Sequence, residues 1–280
     1  MLDLKYTREE LINVAAASPE AVARHDKQAW LSLFAKQAVV EDPVGTAPHR
    51  RIDERDMGAL DRFYETFIAP NEIIFHVHAD VVAANIVLRD VDIEITAATG
   101  LVTSVHTYAM YELVEEAGRL KIARLAAHWE LLPMIKQVLG RGVPGLRMMA
   151  SLGSRMPRIQ GIAGVLGYMR GFGGIGRKGK ATVREFVQAI NEGNTARLTG
   201  LFADASDAAI ELPAGKHHLI TALMSDSDRI HLTVSEIISA GMTTSFRFDI
   251  SLDGTFRNGI GLFEFTRQNG KLERARFFLR

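Results

Sequence analysis

The apolar positions of this chain change period along its length. From Thr7 to Phe67 they recur every three or four residues, broken by a short apolar run at Ala38-Val39-Val40. From Ile73 to Leu131 they alternate or bunch in strand-like blocks. Thr7 with Glu10 forms a capping box and predicts a helix over 8–17. Ser18-Pro19 predicts a restart, with Ser18 as N-cap and Pro19 at the first helical position, toward His25. Asp26 caps a segment over 27–36 with Trp30, Leu33 and Phe34 on one side. Leu60, Phe63, Tyr64 and Phe67 predict a further helix ending near Ala69-Pro70. Strands are then predicted at 73–78, within 81–95 (Asp90 to Ile95 alternate), at 101–115 and at 119–131. A hairpin turn at Glu116-Ala117-Gly118 joins the last two. Helices followed by meandering antiparallel strands predict an α+β fold with one sheet face around a core.

Residues 133–180 break this pattern. They hold nine Lys/Arg, no Asp or Glu, twelve Gly and five Met in 48 residues. Leu146, Met148, Met149, Leu152, Ile159, Ile162, Leu166 and Met169 read as short amphipathic helices punctuated by glycine. The plain reading is an interdomain connector whose apolar side covers a domain. Two functional readings stand beside it: a lid over a pocket, and a peripheral contact with anionic membrane, which needs basic charge next to an apolar face.

After Lys180 the first pattern returns. Asn194 to Leu201-Phe202-Ala203 echoes Asp26 to Leu33-Phe34-Ala35, and Glu211-Leu212-Pro213-Ala214-Gly215 echoes Glu41-Asp42-Pro43-Val44-Gly45. Phe263-Glu264-Phe265 with Gly270 and Arg276 echoes Tyr111-Glu112-Leu113 with Gly118 and Arg124. Three echoes in order predict a tandem duplication with a trimmed second copy, in which a short segment over 220–228 replaces the Phe63-Tyr64 helix. The expected division is a first domain over 1–132, a connector over 133–180 and a shorter, degenerate domain over 181–280.

Composition narrows the function. Length and a 47% hydrophobic content allow two ordinary domains with real cores, and a formal net charge of zero excludes a nucleic-acid binder running on bulk charge. With no cysteine, disulfides, thiolate catalysis and Cys-ligated metals are excluded. Met1-Leu2-Asp3-Leu4-Lys5 lacks a leader's basic start and apolar core, and no run of about eighteen apolar residues occurs, so a cytoplasmic protein is expected.

The candidate chemistry sits where the helical pattern gives way to strands. Val40-Glu41-Asp42-Pro43-Val44-Gly45 ends an apolar run in two carboxylates and a turn. Proline keeps Asp42 extended, and Asp at a turn entry is also ordinary turn chemistry. This motif, with a helix on each side and strands after, resembles the ketosteroid-isomerase-like (SnoaL-like) branch of the nuclear-transport-factor-2-like superfamily. The resemblance implies two cone-shaped domains, each a curved antiparallel sheet wrapped on helices, and a conical apolar pocket. It implies Asp42 as the general base that moves a proton next to the ketone of a steroid-like or polyketide-like substrate. No cofactor or metal is implied. The places of the family's two oxyanion donors fall on Ser18 and Met110, and methionine cannot donate. Side chains two apart share a strand face, so Tyr108 and His106 are the expected substitutes if Met110 faces the pocket. Trp30, Tyr64, Met110 and Trp129 are the expected substrate wall. In the second copy the three stations fall on Leu212, Phe186 and Leu262, which predicts a catalytically silent domain. The alternative function is a non-catalytic binder of a hydrophobic small molecule, or an interaction module; a homodimer or an internal pseudo-dimer is the expected assembly. His76 and His78 share a strand face, but no third metal ligand is signalled in the sequence.

Overall fold

A computed structural model describes residues 6–52, 58–204, 209–212, 216–219, 230–252 and 254–280. The described chain divides into two compact units: one of residues 6–80 with Asn85–Gly173, the other of Val81–Ala84 with Gly174–Arg280. The α+β class expected from the pattern is the one observed.

The first unit opens with helices α1 (Arg8–Ala23) and α2 (Lys27–Ser32). After strands β1 (Phe34–Glu41) and β2 (His49–Arg51) comes α3 (Gly58–Phe63), which runs on into a π-helical turn at Tyr64–Ile68. Strands β3 (Asn71–Ala83), β4 (Ile86–Ala97), β5 (Val102–Glu116) and β6 (Arg119–His128) follow, then α4 (Leu131–Leu139) and α5 (Val143–Met169). The sheet order is β2-β1-β6-β5-β4-β3. β1 lies parallel to β6, whereas β5 pairs antiparallel with β4 and β6.

The capping box forms as expected: Glu10 N donates to Thr7 Oγ1 (3.2 Å), and Thr7 N donates to Glu10 Oε2 (2.7 Å). Ser18-Pro19 does not restart the helix. α1 runs through Pro19, and Ser18, far from capping anything, is buried with its Oγ accepting a hydrogen bond from Trp30 Nε1 (3.2 Å). Asp26 caps α2 through Ala29 N (2.9 Å). The helix expected over 27–36 stops at Ser32, because Phe34 pairs with Ile122 of β6 and Ile122 N donates to Leu33 O (2.8 Å); tertiary pairing overrides local periodicity. Ala117 and Gly118, both at positive φ, make the two-residue β5–β6 hairpin loop.

Residues 133–173, expected as a connector, group with the first unit as α4 and α5. Glycine lets α5 lie close to the turn that follows Asp42. A Cβ on Gly167 would sit 2.6 Å from the Ala47 Cβ, and Ala47 N donates to Gly167 O (2.9 Å).

The second unit begins with α6 (Gly176–Asn191) and α7 (Thr195–Gly200). Its strands are β7 (Ala209–Leu212), β8 (Lys216–Leu219), β9 (Ile230–Ala240), β10 (Thr243–Leu252), β11 (Thr255–Phe265) and β12 (Leu272–Leu279), in the order β8-β7-β12-β11-β10-β9. This is the first sheet's order again, with β7 parallel to β12. Asn194 caps α7 as Asp26 caps α2, accepting from Arg197 N at 3.0 Å. The core of this unit is built on Phe186, Phe246, Phe248, Phe263 and Phe277. The expected segment over 220–228 lies outside the described residues. Among the described residues, no helix is long and apolar enough to cross a membrane.

Candidate active site

Because β1 and β6 run parallel, the residues that follow them emerge at the same end of the sheet. Asp42 follows β1, Trp129 follows β6, and Val44 N donates to Ala127 O (2.9 Å) to hold the two exits together. Trp129 Nε1 donates to Asp42 Oδ1 at 2.5 Å, leaving Oδ2 free of that bond. The Asp42–Pro43 peptide bond is cis.

Asp42 lines a cavity of about 340 Å³ within this unit. One wall is sheet, with Ile93 and Ile95 of β4, Val105, Ala109 and Tyr111 of β5, and Ala127 of β6. Trp30, Phe63 and Phe67 come from the helical layer, and Met148, Met149, Leu152, Met156 and Tyr168 from α5. Burial in this apolar setting raises the Asp42 carboxyl to about 6, against the opposing pull of the Trp129 hydrogen bond. The surface Asp42 keeps is part of the cavity wall.

Two phenols share the cavity with this carboxyl. Tyr111 is buried, and burial pushes its hydroxyl up to about 12, with the charges of Asp80 and Asp42 adding to the shift while Arg89 and a hydrogen bond with Ser18 oppose it. Ser18 thus joins Tyr111 to the Trp30 indole N–H. Tyr168 is held well above the ordinary phenol range by burial and then by Asp42, and its ring stacks on Phe67 at 5.5 Å. Both are neutral donors at neutral pH. The site therefore offers an apolar chamber, one carboxylate that titrates near neutrality, and two phenolic protons.

Several sequence expectations need correction. On β5 the odd positions Val105, Ala109 and Tyr111 line the cavity, and the strand alternation sends His106, Tyr108 and Met110 to the opposite face. Tyr108 and Met110 are buried there, away from the site. His106 Nδ1 donates to Asp92 Oδ1 (2.6 Å), and its Nε2 lies 3.4 Å from Asp90 Oδ1. His78 Nε2 meets Asp92 Oδ2 at 2.9 Å. Burial would raise Asp92, but the two histidines outweigh it and hold the carboxyl below its ordinary value. The ligating atoms of His78, Asp92 and His106 lie within 4.8 Å of one another, so adjacent strands supply the further metal-type ligands that the sequence did not signal. Of the expected wall, Trp30 and Trp129 line the cavity. Tyr64 is buried against Trp30, with ring centroids 5.7 Å apart, and belongs to the core. The missed residues are Tyr111, one position out of phase with the expected donor, and Tyr168, inside the supposed connector.

No family model matches the chain, and no curated protein matches its sequence. Solved structures do match. A Δ5-3-ketosteroid isomerase from Mycobacterium sp. is 28% identical, with 43% of this chain covering 92% of that one at a TM-score of 0.38. A Mycobacterium tuberculosis protein, solved in complex with estradiol-17β-hemisuccinate, is 22% identical, with 45% of this chain covering 96% of that one at 0.39. An epoxide hydrolase of the LEH-like type from M. tuberculosis is 17% identical, with 52% covering 96% at 0.38. The similarity is thus to ketosteroid-isomerase-like and NTF2-like proteins over about half of this chain.

Proposed function

We propose that the first unit is a ketosteroid-isomerase-like catalyst and that Asp42 is its base. The observation that carries this is the lone carboxylate, raised to about 6, facing an apolar cavity that also holds two neutral phenols. In the proposed reaction Asp42 Oδ2 takes a proton from the carbon next to a ketone. The C–H electron pair passes into an enolate, whose oxygen accepts a hydrogen bond from Tyr111 or Tyr168. The same carboxyl then returns the proton at the far carbon of the conjugated system, so the net change is a shifted double bond. The substrate is an apolar, steroid-like or polyketide-like ketone.

We propose further that both units are NTF2-like domains descended from one ancestor by tandem duplication. The repeated strand order, the parallel β1–β6 and β7–β12 pairs and the matching caps at Asp26 and Asn194 support this. So do two ion pairs at one offset, Arg124–Glu112 (2.8 Å) and Arg276–Glu264 (3.3 Å).

The test is absorbance at the enone band after adding a steroid ketone with an unconjugated double bond. Turnover is expected, rising with pH through about 6 and then level, because the base works ionised. Asp42→Asn is expected to lower kcat by about three orders of magnitude or more. The second reading, a non-catalytic binder, is favoured by the engagement of Asp42 by Trp129 and of Tyr111 by Ser18. It predicts no turnover by the native protein and steroid binding that survives Asp42→Asn.

A further inference from the structure

α5 has two apolar sides, and the cavity accounts for only one. Met148, Leu152, Met156, Val165 and Tyr168 face the cavity. Val143, Leu146, Ile162 and Leu166 do not, and they are 61%, 59%, 76% and 64% exposed, joined by exposed Leu132 and Leu139 of α4. Large apolar side chains at such exposure along two adjoining helices are what a docking surface requires.

The charge around them selects the partner. Residues 131–173 carry Lys136, Arg141, Arg147, Arg155, Arg158 and Arg170 and no acidic residue, and all but Arg155 are exposed. A second copy docked by the same face would set these cations against themselves. An anionic bilayer accepts both features: apolar side chains enter the headgroup–acyl boundary while arginine heads stay among the phosphates. Met169 and Phe172 line the cavity and are also 53% and 38% exposed. α5 is broken at Gly161 (φ 71°, ψ 177°), which lets the segment carrying Ile162 and Leu166 take its own direction.

We propose that the α4–α5 face docks on an anionic lipid surface and presents the cavity mouth at Met169 and Phe172 to the bilayer, from which an apolar ligand enters. The docking stands on the surface alone; the ligand's route rests on the cavity reading given above. The bilayer thus acts as the reservoir of a poorly water-soluble substrate.

The full chain is sedimented with vesicles of mixed phosphatidylglycerol and phosphatidylcholine, and with phosphatidylcholine alone. Binding to the mixed vesicles only, weakened by high salt, is expected. Arg147→Glu with Arg158→Glu should cut it roughly tenfold or more, and Ile162→Asp with Leu166→Asp should cut it comparably. All four positions are exposed, so the melting curve should not move. No binding to anionic vesicles, equal binding to neutral ones, or binding unchanged in both variants would overturn the docking. So would concentration-dependent self-association without lipid that Ile162→Asp with Leu166→Asp abolishes, which would make the face an interface between copies. Binding of a steroid probe in lipid-free solution, read from Trp30 and Trp129 fluorescence, reports the cavity separately. Vesicle binding without probe binding would sink the ligand's route and the cavity reading while leaving the docking in place.

Discussion

In the first unit the space between sheet and helices is a cavity of about 340 Å³ that ends on a carboxylate. In the second, Phe186, Phe246, Phe248, Phe263 and Phe277 fill the interior with ring centroids between 4.9 and 6.0 Å apart. The strand order is the same, but the first unit's cavity is also walled by α5 and by Phe63 and Phe67, whereas the second unit's described helices are α6 and α7. The repeat offsets pair Ser18 with Phe186 and Tyr111 with Phe263. Where the first unit sets a serine hydroxyl on a phenol, the second sets two rings edge to face at 4.9 Å. Exchanging a polar pair for an aromatic one gains dispersion contacts. Even the backbone yields to the rings: Gly261 pairs with Phe246, and a Cβ there would lie 2.2 Å from the ring.

The largest effect should come from breaking the filled interior. Phe263 has no exposed surface and meets three other rings. Phe263→Ala is expected to cost about 3–5 kcal/mol in denaturant unfolding. Leu152→Ala, on the wall of a space already open, should cost less than half as much, because it enlarges an existing void rather than opening a new one. Equal losses would show that the two interiors are packed alike.

Next in size is the change that gives the first unit the second unit's chemistry. Tyr111→Phe removes the phenolic proton and keeps the ring. Loss of one preorganised donor is expected to lower kcat by about 10²–10³-fold, with little change in KM. Steady-state kinetics on the steroid ketone decide it, with Tyr168→Phe in parallel. If the loss follows Tyr168 instead, the donor belongs to α5, and the contrast between Tyr111 and Phe263 concerns packing only.

These residues also mark how far the sequence could be read. The turn after Asp42, the capping box at Thr7 and the β5–β6 hairpin are local patterns, and local patterns survive folding. The faces of β5 are not local. Alternation says that Tyr108 and Tyr111 point oppositely, but it does not say which meets the helices. The phase that puts Met110 in the pocket would bring Tyr108 and His106 with it; the opposite phase, which brings Tyr111, is the one observed. Ser18-Pro19 has the signature of a helix start, yet α1 continues through it because Ser18 is buried against Trp30. Tyr168 is hidden for another reason: Gly167 and Gly171 read as breakers of structure, whereas they let the end of α5 and the turn after it approach Ala47 and Thr46.

The smallest expected effect tests what the open interior costs. The Asp42 carboxyl titrates near 3.8 when solvated and near 6 in the fold. Between those values the folded state holds the extra proton, so stability falls as pH rises from about 4 to 6 and stays lower above. At 1.36 kcal/mol for each pKa unit, the penalty above pH 6 is about 2–3 kcal/mol. Asparagine cannot ionise, and its carbonyl can still accept the Trp129 hydrogen bond. Asp42→Asn should therefore be more stable than the native protein by about that amount at pH 7–8, and no different near pH 4. By the repeat offset the second sequence copy has Leu212 at this position, a side chain with no charge to bury. Should Asp42→Asn instead prove no more stable at pH 7–8, the carboxylate is well solvated where it sits. The chamber would then hold water against its base, and the two interiors would differ in polarity as well as in packing.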